Sequence, residues 1–378
     1  MSGITPADSL RTKAHPVHSD RVLRLGTFST NLSSGCAMSN VDGALDASWE
    51  STSRLARMAE EMSFEAIVPV GRWRGFGGPT NFNGSGFEAY TWAAGIGAQT
   101  SYSGVFATSH VPTIHPLLAA KQAATIDHIT GGRFALNIVN GWHQPEIEMF
   151  GAPQLEHDAR YATAAEWVEI MIRLWASEEP FTYEGKYFQV KDASLSPLPI
   201  QRPRPVLMNA GQSKAGREFA TKYCDVVFIT TGGDDDLAAL KDQVAAVKKY
   251  ARDEHQREVQ VWANAYVVQG DTEEDANDFY RHYVDDLGDW EAVDNVLGSL
   301  GINSQSLPME KLLAMKRHWI AGWGGIPVIG TPEMITDKLG NLARAGLDGV
   351  LLSWARYVED MERFRSEAYP LLAEAGLR

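Results

Sequence analysis

The feature that most constrains the fold of this chain is a regular alternation of short apolar runs with longer stretches of helical periodicity. Eight of the apolar runs are predicted to be strands, and they cover residues 22–28, 64–70, 103–108, 134–139, 206–209, 226–229, 259–268 and 349–352. Because strands that alternate with helices favour a parallel sheet and eight units are enough to close it, the sequence predicts an α/β protein with a (β/α)8 TIM barrel. A doubly wound open sheet is the competing architecture.

Helical periodicity fills most of the chain between the predicted strands, and long segments without it mark three insertions. The helices are predicted at 47–62, 87–100, 116–129, 159–176, 213–223, 235–252, from about 271, at 332–345 and at 358–374. The insertions follow strands two, four and seven and cover 71–86, 140–157 and 286–330. The third insertion has no clear pattern, which is typical of a functional lid or a disordered segment. A hairpin is also predicted at 181–190.

Composition limits the partners and the compartment. The 378 residues are predicted to form one domain over 21–378, preceded by a disordered or loosely packed arm at 1–20. The formal net charge is -14 with no basic stripe to offset it, which argues against nucleic acid as a partner. The two cysteines, Cys36 and Cys224, form no CxxC motif, and no apolar stretch is long enough to span a membrane. A cytoplasmic protein is therefore expected.

The densest cluster of polar residues follows the fourth predicted strand. Asn137 lies within that strand, and Asn140, Trp142 and Glu146 come soon after it. A polar cluster directly after an apolar strand is the layout of a site at the carboxyl end of a parallel strand. Because Thr108 ends the neighbouring strand, Asn137 and Thr108 could form either a pocket for a small polar molecule or a buried pair whose hydrogen bonds satisfy each other.

A second candidate site is a phosphate cradle after the fifth predicted strand. Residues 210–213 read AGQS and lie between that strand and a helix. Glycine lets the backbone approach an anion, and a serine at a helix start can donate to a phosphate oxygen. Arg160 and Tyr161 open another helix and could complete the clamp. The alternative is an ordinary turn in which Ser213 only caps the helix.

Several kinds of catalytic site have no support in the sequence. It contains no GxSxG, HExxH or P-loop motif, and the ten histidines are scattered, so a catalytic metal is not expected. Trp73, Trp142 and Trp354 lie near predicted strand ends. These tryptophans are either core residues or walls for a flat apolar ring.

Five motifs together identify a family. They are RGFGG at 74–78, AATIDHITGGRFALNIVNGW at 123–142, LEHDARY at 155–161, AGQS at 210–213 and IGTPEMI at 329–335. With these motifs, the chain from about residue 23 onward resembles the bacterial luciferase-like, flavin-dependent monooxygenases, and within them the group of pyrimidine and dimethylsulfone monooxygenases. The resemblance implies an α/β barrel that reacts reduced FMN with O2. It also implies a separate NAD(P)H:flavin reductase that supplies the reduced FMN.

The resemblance assigns site residues as well. The implied FMN contacts are Gly71, Arg72, Asn137, Glu146, Arg160, Tyr161, Gly211, Gln212 and Ser213. The implied O2 pocket beside flavin N5 consists of Val68, Thr108, Asn137 and Trp142. In that pocket Thr108 and Asn137 would hydrogen-bond the oxygen species, while the two apolar side chains would keep the site dry. The oxidant would be a flavin N5-peroxide or a C4a-hydroperoxide.

Departures from the family pattern limit the class of substrate that is expected. Val68 is smaller than the leucine expected there, and Gly71 replaces a larger apolar residue. The segment near Trp323 lacks the arginine associated with sulfonate enzymes, so a sulfonate is disfavoured. We therefore expect a small N-heterocycle or a similar planar compound. The candidate walls of its pocket are Trp73, His110 and Trp354.

Three alternatives stay open on the sequence. They are a sulfone or other organosulfur substrate, a deazaflavin-dependent dehydrogenase of the same fold, and a barrel protein without redox chemistry. Binding of reduced FMN would separate the first of these from the other two. Members of the family are commonly dimers or tetramers, so a homodimer or homotetramer is expected.

Overall fold

The computed structural model describes residues 15–231, 236–302 and 308–378. Its strands are β1 (Arg24–Phe28), β2 (Ala66–Val68), β3 (Gly104–His110), β4 (Phe134–Val139), β5 (Phe181–Glu184), β6 (Gln189–Ala193), β7 (Val206–Asn209), β8 (Val226–Ile229), β9 (Gln260–Gln269), β10 (Ile326–Gly330) and β11 (Gly349–Ser353). Its helices are α1 (Trp49–Glu61), α2 (Ala89–Gly97), α3 (Pro116–Ile129), α4 (Gln144–Met149), α5 (His157–Ala176), α6 (Lys214–Tyr223), α7 (Leu237–His255), α8 (Glu273–Arg281), α9 (Trp290–Ser299), α10 (Met309–Gly322), α11 (Pro332–Arg344) and α12 (Tyr357–Glu374).

The predicted (β/α)8 TIM barrel is confirmed. Within the described residues, eight parallel strands pair in the order β1, β2, β3, β4, β7, β8, β9 and β11, and β11 returns to β1 to close the ring. Strands β4, β7 and β8 have the predicted bounds, and the predicted hairpin is the antiparallel pair of β5 and β6. Buried strands of a parallel barrel read as continuous apolar runs, which is why their sequence signal is clear.

The insertion after the seventh barrel strand differs from the patternless loop predicted for 286–330. It contains α9, α10 and β10, and β10 pairs in parallel with the second half of β9. The apolar faces of α9 and α10 pack on the loop after β2 and on residues of β9 and of the helical segment that follows it. The buried residues of this second core include Phe76, Phe82, Val293, Val296, Leu312 and Ile320. Periodicity was hard to detect because each helix is short and its apolar partner is an irregular loop.

The end of the barrel at which the strands begin is covered by residues that were predicted to be part of a loosely packed arm. His15 and Val17 are fully buried, and Val17 belongs to the cluster that fills the barrel interior. The Gln260 side chain donates a hydrogen bond to the Val17 carbonyl at 2.8 Å. The prediction of a loosely packed segment is therefore wrong for residues 15–17, because they supply apolar surface that the open end of the barrel needs. The rest of the arm, residues 1–14, lies outside the described residues.

In the described part of the chain, no helix is both long and apolar enough to cross a membrane. The longest, α5, carries Asp158 in its first turn and Arg173 in its last. Charges of these signs at these ends stabilise a helix in water, since they oppose its macrodipole.

Candidate active site

A cavity of about 990 Å³ opens at the carboxyl ends of the barrel strands. Side chains that alternate along the strands point into the barrel, and inward-pointing residues of seven of the eight barrel strands, all except β9, line this cavity. The apolar floor consists of Phe28, Val68, Met208, Phe228 and Leu351. The sequence analysis identified only Val68 among them, although the other four could have been found by counting two residues at a time along each strand. The cavity therefore combines an apolar floor with polar walls.

Thr108 and Asn137 meet on the cavity wall, as the sequence predicted for neighbouring strand ends. They are directly opposed in the register of β3 and β4. The Asn137 amide donates to the Thr108 hydroxyl at 3.2 Å, and that hydroxyl donates to the Pro69 carbonyl at 2.5 Å. Both side chains line the cavity. The pair thus satisfies part of its own hydrogen bonding and still faces the cavity, so the two interpretations of the sequence are compatible.

A further amide pair follows at the ends of β4 and β7, and the sequence analysis did not predict it. Asn209 donates to the Asn140 side-chain oxygen at 2.9 Å and to the Ile138 carbonyl at 2.7 Å. The Asn209 oxygen accepts the Gly211 N–H at 2.8 Å. The Asn140 side-chain nitrogen is buried and has no hydrogen-bond partner among the described residues. This nitrogen has almost no accessible surface, so a hydrogen bond from it to a ligand acceptor requires a movement of the neighbouring side chains.

The predicted phosphate cradle lies at one end of the cavity. A β-carbon on Gly211 would lie 2.6 Å from the Gly216 α-carbon, so the turn into α6 needs glycine at both positions. The Ser213 hydroxyl caps α6 by accepting the Gly216 N–H at 3.1 Å. Tyr161 packs against this turn, and burial raises the pKa of its phenol while the Ser213 hydroxyl opposes that rise. The helix start, two hydroxyls and the bare backbone thus converge there.

Arg160 stands beside this cradle and also lines the cavity. Its guanidinium donates to the Gly141 carbonyl at 2.8 Å, which fixes the side chain across the loop after β4. The Arg160 Nε atom is buried without a partner among the described residues. A guanidinium that is held in place by one hydrogen bond and has a free donor is suited to bind an anion.

At the other end of the cavity lies a buried network of charges centred on Glu146. The carboxylate accepts the backbone N–H groups of Trp73 at 2.6 Å and Arg74 at 3.0 Å. It also pairs with the Arg72 guanidinium at 3.0 Å, and both side chains are nearly inaccessible to solvent. Glu146 does not line the cavity, whereas Arg72 does. The structure therefore places Glu146 behind the wall, as the residue that fixes the loop after β2.

Two histidines lie near this network. His110 ends β3, and its Nδ1 atom is 3.6 Å from a Glu146 carboxylate oxygen. Burial, followed by the charge of Arg72, lowers the pKa of His110 to about 3. The same two causes lower the pKa of His143 to about 4, although Glu146 opposes them. Both imidazoles are therefore neutral near pH 7, where they act as hydrogen-bonding groups without charge.

Aromatic rings cover the same end of the cavity. Trp142 stacks on Phe76 with ring centroids 6.0 Å apart, and Trp323 stacks on Phe82 at 5.6 Å. The Arg72 guanidinium lies 4.6 Å from the centroid of Phe76. Trp142 and Trp323 line the cavity, so they present flat apolar surfaces to any ligand. This cover is built by the insertions after strands two, four and seven.

The sequence pattern of the luciferase-like monooxygenases matches residues 24–349. The chain belongs to this family. It is 30% identical over 354 residues to an FMNH2-dependent dimethylsulfone monooxygenase of Pseudomonas putida, which covers 91% of this chain and 93% of that protein. It is also 30% identical over 369 residues to a pyrimidine monooxygenase of Bradyrhizobium sp., which covers 94% of this chain and 98% of that protein.

Solved structures show the same fold. A riboflavin lyase with modified FMN and riboflavin has a TM-score of 0.83 and 21% identity, covering 94% of this chain and 92% of that one. An F420-dependent secondary alcohol dehydrogenase has a TM-score of 0.69 and 17% identity, covering 93% of this chain and 99% of that one. The predicted membership of the luciferase-like monooxygenases, and with it the prediction of an enzyme, are confirmed by the family match.

The structure brings most of the family-implied residues to one cavity. The predicted residues that line it are Val68, Gly71, Arg72, Thr108, His110, Asn137, Trp142, Arg160, Tyr161 and Gly211. Ser213 and Gln212 lie in the adjoining turn, where Gln212 is exposed and donates to the Thr230 hydroxyl at 2.6 Å. Among the described residues, no group of three His, Cys, Asp or Glu side chains could hold a metal ion.

Two predicted substrate walls are corrected by the structure. Trp354 is 1% exposed and packs on Tyr357 and Phe364 behind the barrel strands, so it is a core residue. Trp73 is 47% exposed and packs edge-on against Phe150 outside the cavity. The Trp73 backbone N–H donates to the buried Glu146 carboxylate, while the indole side chain lies toward solvent. Of the three predicted walls, only His110 lines the cavity.

Helix α9 supplies a wall that the sequence did not predict. Its carboxyl-terminal half contributes Asp294, Asn295, Gly298 and Ser299 to the cavity lining, and Leu300 follows. Asp289 caps the helix by accepting the Ala292 N–H at 2.9 Å, and it also accepts the Thr80 N–H at 2.8 Å. The buried Asp289 carboxylate therefore joins the insertion after β9 to the loop after β2. Only their contact in the folded chain places α9 over the cavity.

Proposed function

We propose that this chain is the oxygenase component of a two-component monooxygenase. It would take reduced FMN and O2 and oxygenate a small organic compound, with an N-heterocycle or similar planar molecule as the substrate class. The observation that carries the proposal is a single cavity in which an anion-binding turn, an apolar floor and the Thr108–Asn137 pair face one another. The FMNH2-dependent relatives, at 30% identity over nearly the whole chain, support the same cofactor.

The residues at the cradle fit the phosphate of FMN. Gly211 and Gly216 pack so closely that a β-carbon on either would lie 2.6 to 2.7 Å from the other's α-carbon, so glycine at both positions permits the tight turn that brings the backbone to the start of α6. Arg160 and Tyr161 stand beside this turn and would hold the phosphate with a charged and a neutral donor. The Ser213 oxygen accepts the Gly216 N–H, and its hydroxyl also contacts the Tyr161 phenol, so we propose that Ser213 caps the helix and binds the phosphate together with Tyr161.

The floor and the cover fit a flat ring. Val68, Met208 and Phe228 form part of an apolar surface at the barrel mouth. Trp142 and Trp323 stand over the cavity. A planar ring between these two surfaces would bury its faces against apolar groups and keep its polar edge for the amides on the walls.

Reduced FMN, when bound, supplies the electrons that activate O2. The protein residues would orient the reactants and exclude water. Asn137 donates to Thr108, and that hydroxyl donates to the Pro69 carbonyl, so the three groups form a fixed polar edge beside the floor. Val68 and Trp142 make the surroundings of that edge apolar, which strengthens each hydrogen bond made there.

A sulfone or another small organosulfur compound is the alternative substrate, and the dimethylsulfone enzyme among the relatives supports it. We prefer a planar heterocycle because the cavity offers stacked aromatic walls and several amide groups. A deazaflavin cofactor is the alternative to FMN, since an F420-dependent dehydrogenase shares the fold. A flavin reductase partner, a cytoplasmic location and a homodimer or homotetramer complete the proposal.

The deciding experiment is an anaerobic titration of the purified chain with reduced FMN, followed by the same titration with a reduced deazaflavin. Saturable binding of reduced FMN and product formation in oxygenated buffer are expected. Lack of FMN binding would overturn the proposal, and tight binding of the deazaflavin instead would favour the dehydrogenase. Lys214→Ala, at an exposed position of the same turn, is the matched control for a cradle variant such as Ser213→Ala.

A further inference from the structure

Gly71 opens a small space in the cavity wall beside Thr108 and His110. A β-carbon at this position would lie 3.0 Å from the Thr108 carbonyl oxygen and 3.5 Å from the His110 Nε2 atom. Contacts at these distances would occupy the space in front of both groups. All three residues line the cavity. The absence of a side chain at position 71 therefore exposes the His110 Nε2 atom to a ligand.

His110 is fixed by its place in the barrel. It follows Phe106 and Thr108 at two-residue spacing along β3, so its side chain points toward the barrel axis. It is opposed to Val139 in the register with β4, one residue before Asn140. An imidazole and an amide from neighbouring strand ends thus reach the same cavity. The amide nitrogen of Asn140 has no hydrogen-bond partner among the residues described.

The charge of Glu146 favours one of the two nitrogens of His110 as the one that carries the hydrogen. One carboxylate oxygen accepts the Trp73 and Arg74 N–H groups, and the other faces Arg72 and His110 Nδ1. The Glu146 oxygen and His110 Nδ1 are 3.6 Å apart, which is too far for a hydrogen bond, but the negative charge of the carboxylate favours hydrogen on the histidine nitrogen that faces it. In a neutral imidazole the other nitrogen, Nε2, is then a bare acceptor. Burial and the Arg72 charge keep this imidazole neutral.

We infer that Glu146 is a positioning residue that holds His110 as a hydrogen-bond acceptor at the space beside Gly71, where a bound ligand places an N–H or O–H group. The unpartnered Asn140 nitrogen offers a donor from the next strand end. A ring that carries a donor next to a carbonyl, as a cyclic amide does, matches this pair of groups. A sulfone without N–H or O–H groups would leave the His110 acceptor unpaired, and this disfavours it.

The donor could belong either to the flavin or to the substrate, because both classes of ring carry N–H groups. That consequence rests on the proposed function, whereas the tautomer of His110 does not. The tautomer is set by Glu146 in the protein without any ligand. The prediction of the His110 tautomer can therefore be wrong while FMN binds, and it can be right while FMN does not bind.

The tautomer is measured by 15N nuclear magnetic resonance on protein labelled at the histidine ring nitrogens. A nitrogen that bears hydrogen and a bare nitrogen have well separated resonances, and His110→Asn identifies the signals of His110. We expect hydrogen on Nδ1 and a bare Nε2. Hydrogen on Nε2 in the unmodified protein would overturn the inference. Should His110→Asn not fold, His110→Gln provides the same assignment.

Glu146→Gln tests the positioning role. With its oxygen on the Trp73 and Arg74 donors, the introduced amide would direct its NH2 group at both the Arg72 guanidinium and His110, and Nδ1 would become an acceptor. The expected result is a switch of the His110 hydrogen to Nε2. Glu156→Gln changes an exposed glutamate ahead of α5 and should leave the tautomer unchanged. A folded Glu146→Gln protein with the original tautomer would show that Glu146 is merely structural.

Ligand additions then identify the donor. Reduced FMN is added first under anaerobic conditions, then uracil as a probe with ring N–H groups, with 1,3-dimethyluracil as the matched probe without them. A shift of the His110 Nε2 resonance with FMN alone assigns the flavin as donor. A shift with uracil and not with its dimethyl form assigns the substrate site. No shift in any of these additions would overturn the acceptor role.

Discussion

The two ends of the cavity are built in opposite ways. The cradle end is a short turn in which residues close in sequence meet, with Ser213 exposed to solvent and Gly211 and Gly216 packed against each other beneath it. The Glu146 end joins residues up to 74 positions apart in a buried network of charges. The first end uses backbone and helix geometry, and the second uses desolvated ion pairs.

This difference predicts where each end is fragile. An exposed turn can lose one side chain and adjust, since water replaces the lost hydrogen bond. A buried network cannot, because a charge left without its partner has no solvent to stabilise it. Changes at the cradle should therefore act mainly on ligand binding, and changes around Glu146 should act first on folding.

The largest effect is expected from Glu146→Ala. The substitution leaves the buried Arg72 guanidinium without its counter-charge and two backbone N–H groups without an acceptor. We expect a loss of about 3–5 kcal/mol in the free energy of unfolding, measured by chemical denaturation. Glu148→Ala, at an exposed position two residues along α4, is the control. Equal free energies of unfolding of the two variants would contradict the prediction that the Glu146 end of the cavity is the one on which folding depends.

The pH dependence of stability tests the same end. The pKa values of His110 and His143 in the folded protein are lowered to about 3 and about 4, below their ordinary value. The unfolded chain therefore takes up protons as the pH falls through about 6.5, while the folded protein does not. The free energy of unfolding should fall between about pH 7 and about pH 5, by up to ~1.4 kcal/mol per unit for each histidine.

His143→Phe should make that slope shallower, because the phenyl ring keeps the contact with Phe76 and cannot bind a proton. The measurement is a series of urea denaturations across the same pH range. His128→Phe places the same ring at an exposed position of α3 and serves as the control. A slope in His143→Phe as steep as in the parent would contradict the assigned neutral state of this histidine.

Ser213→Ala should affect the cradle end in two ways. Loss of the cap on α6 is expected to lower the free energy of unfolding by about 1 kcal/mol. If the hydroxyl also donates to phosphate, the dissociation constant for reduced FMN should rise about fivefold to tenfold. Ser213→Thr should restore both properties. A loss of stability with an unchanged dissociation constant would reduce Ser213 to a helix cap.

A small effect on folding, comparable to that of Ser213→Ala, is expected from Asn137→Ala. It removes one hydrogen bond, and the Thr108 hydroxyl keeps its bond to the Pro69 carbonyl, so the change in unfolding free energy should be below about 1.5 kcal/mol. The yield of product per reduced FMN consumed should nevertheless drop. Ile138→Val, on the opposite face of the same strand, controls for the strand itself. An unchanged yield would argue against a role in handling oxygen.

The sequence by itself determined the barrel and most of the cradle. Strands that are buried on both faces are continuous apolar runs, and such runs indicate the barrel. Glycine and serine close together indicate the turn into α6. Strand alternation and the order of the strands also predict Thr108 beside Asn137, and the register of β3 and β4 confirms it. These features depend on local conformation or on contacts between strands that are neighbours in the barrel. Local patterns and the regular alternation of strands and helices make both kinds of feature visible in the sequence.

Tertiary structure alone decided the buried end of the cavity and its cover. Nothing near Glu146 in the sequence identifies Arg72 as its partner, and nothing near Trp354 or Trp73 shows that one faces the core and the other faces solvent. Helix α9 reaches the cavity only because Asp289 joins two insertions. Contacts between distant irregular segments have no period in the sequence. They form once the barrel has fixed the strand ends in space, and for that physical reason they could not be predicted.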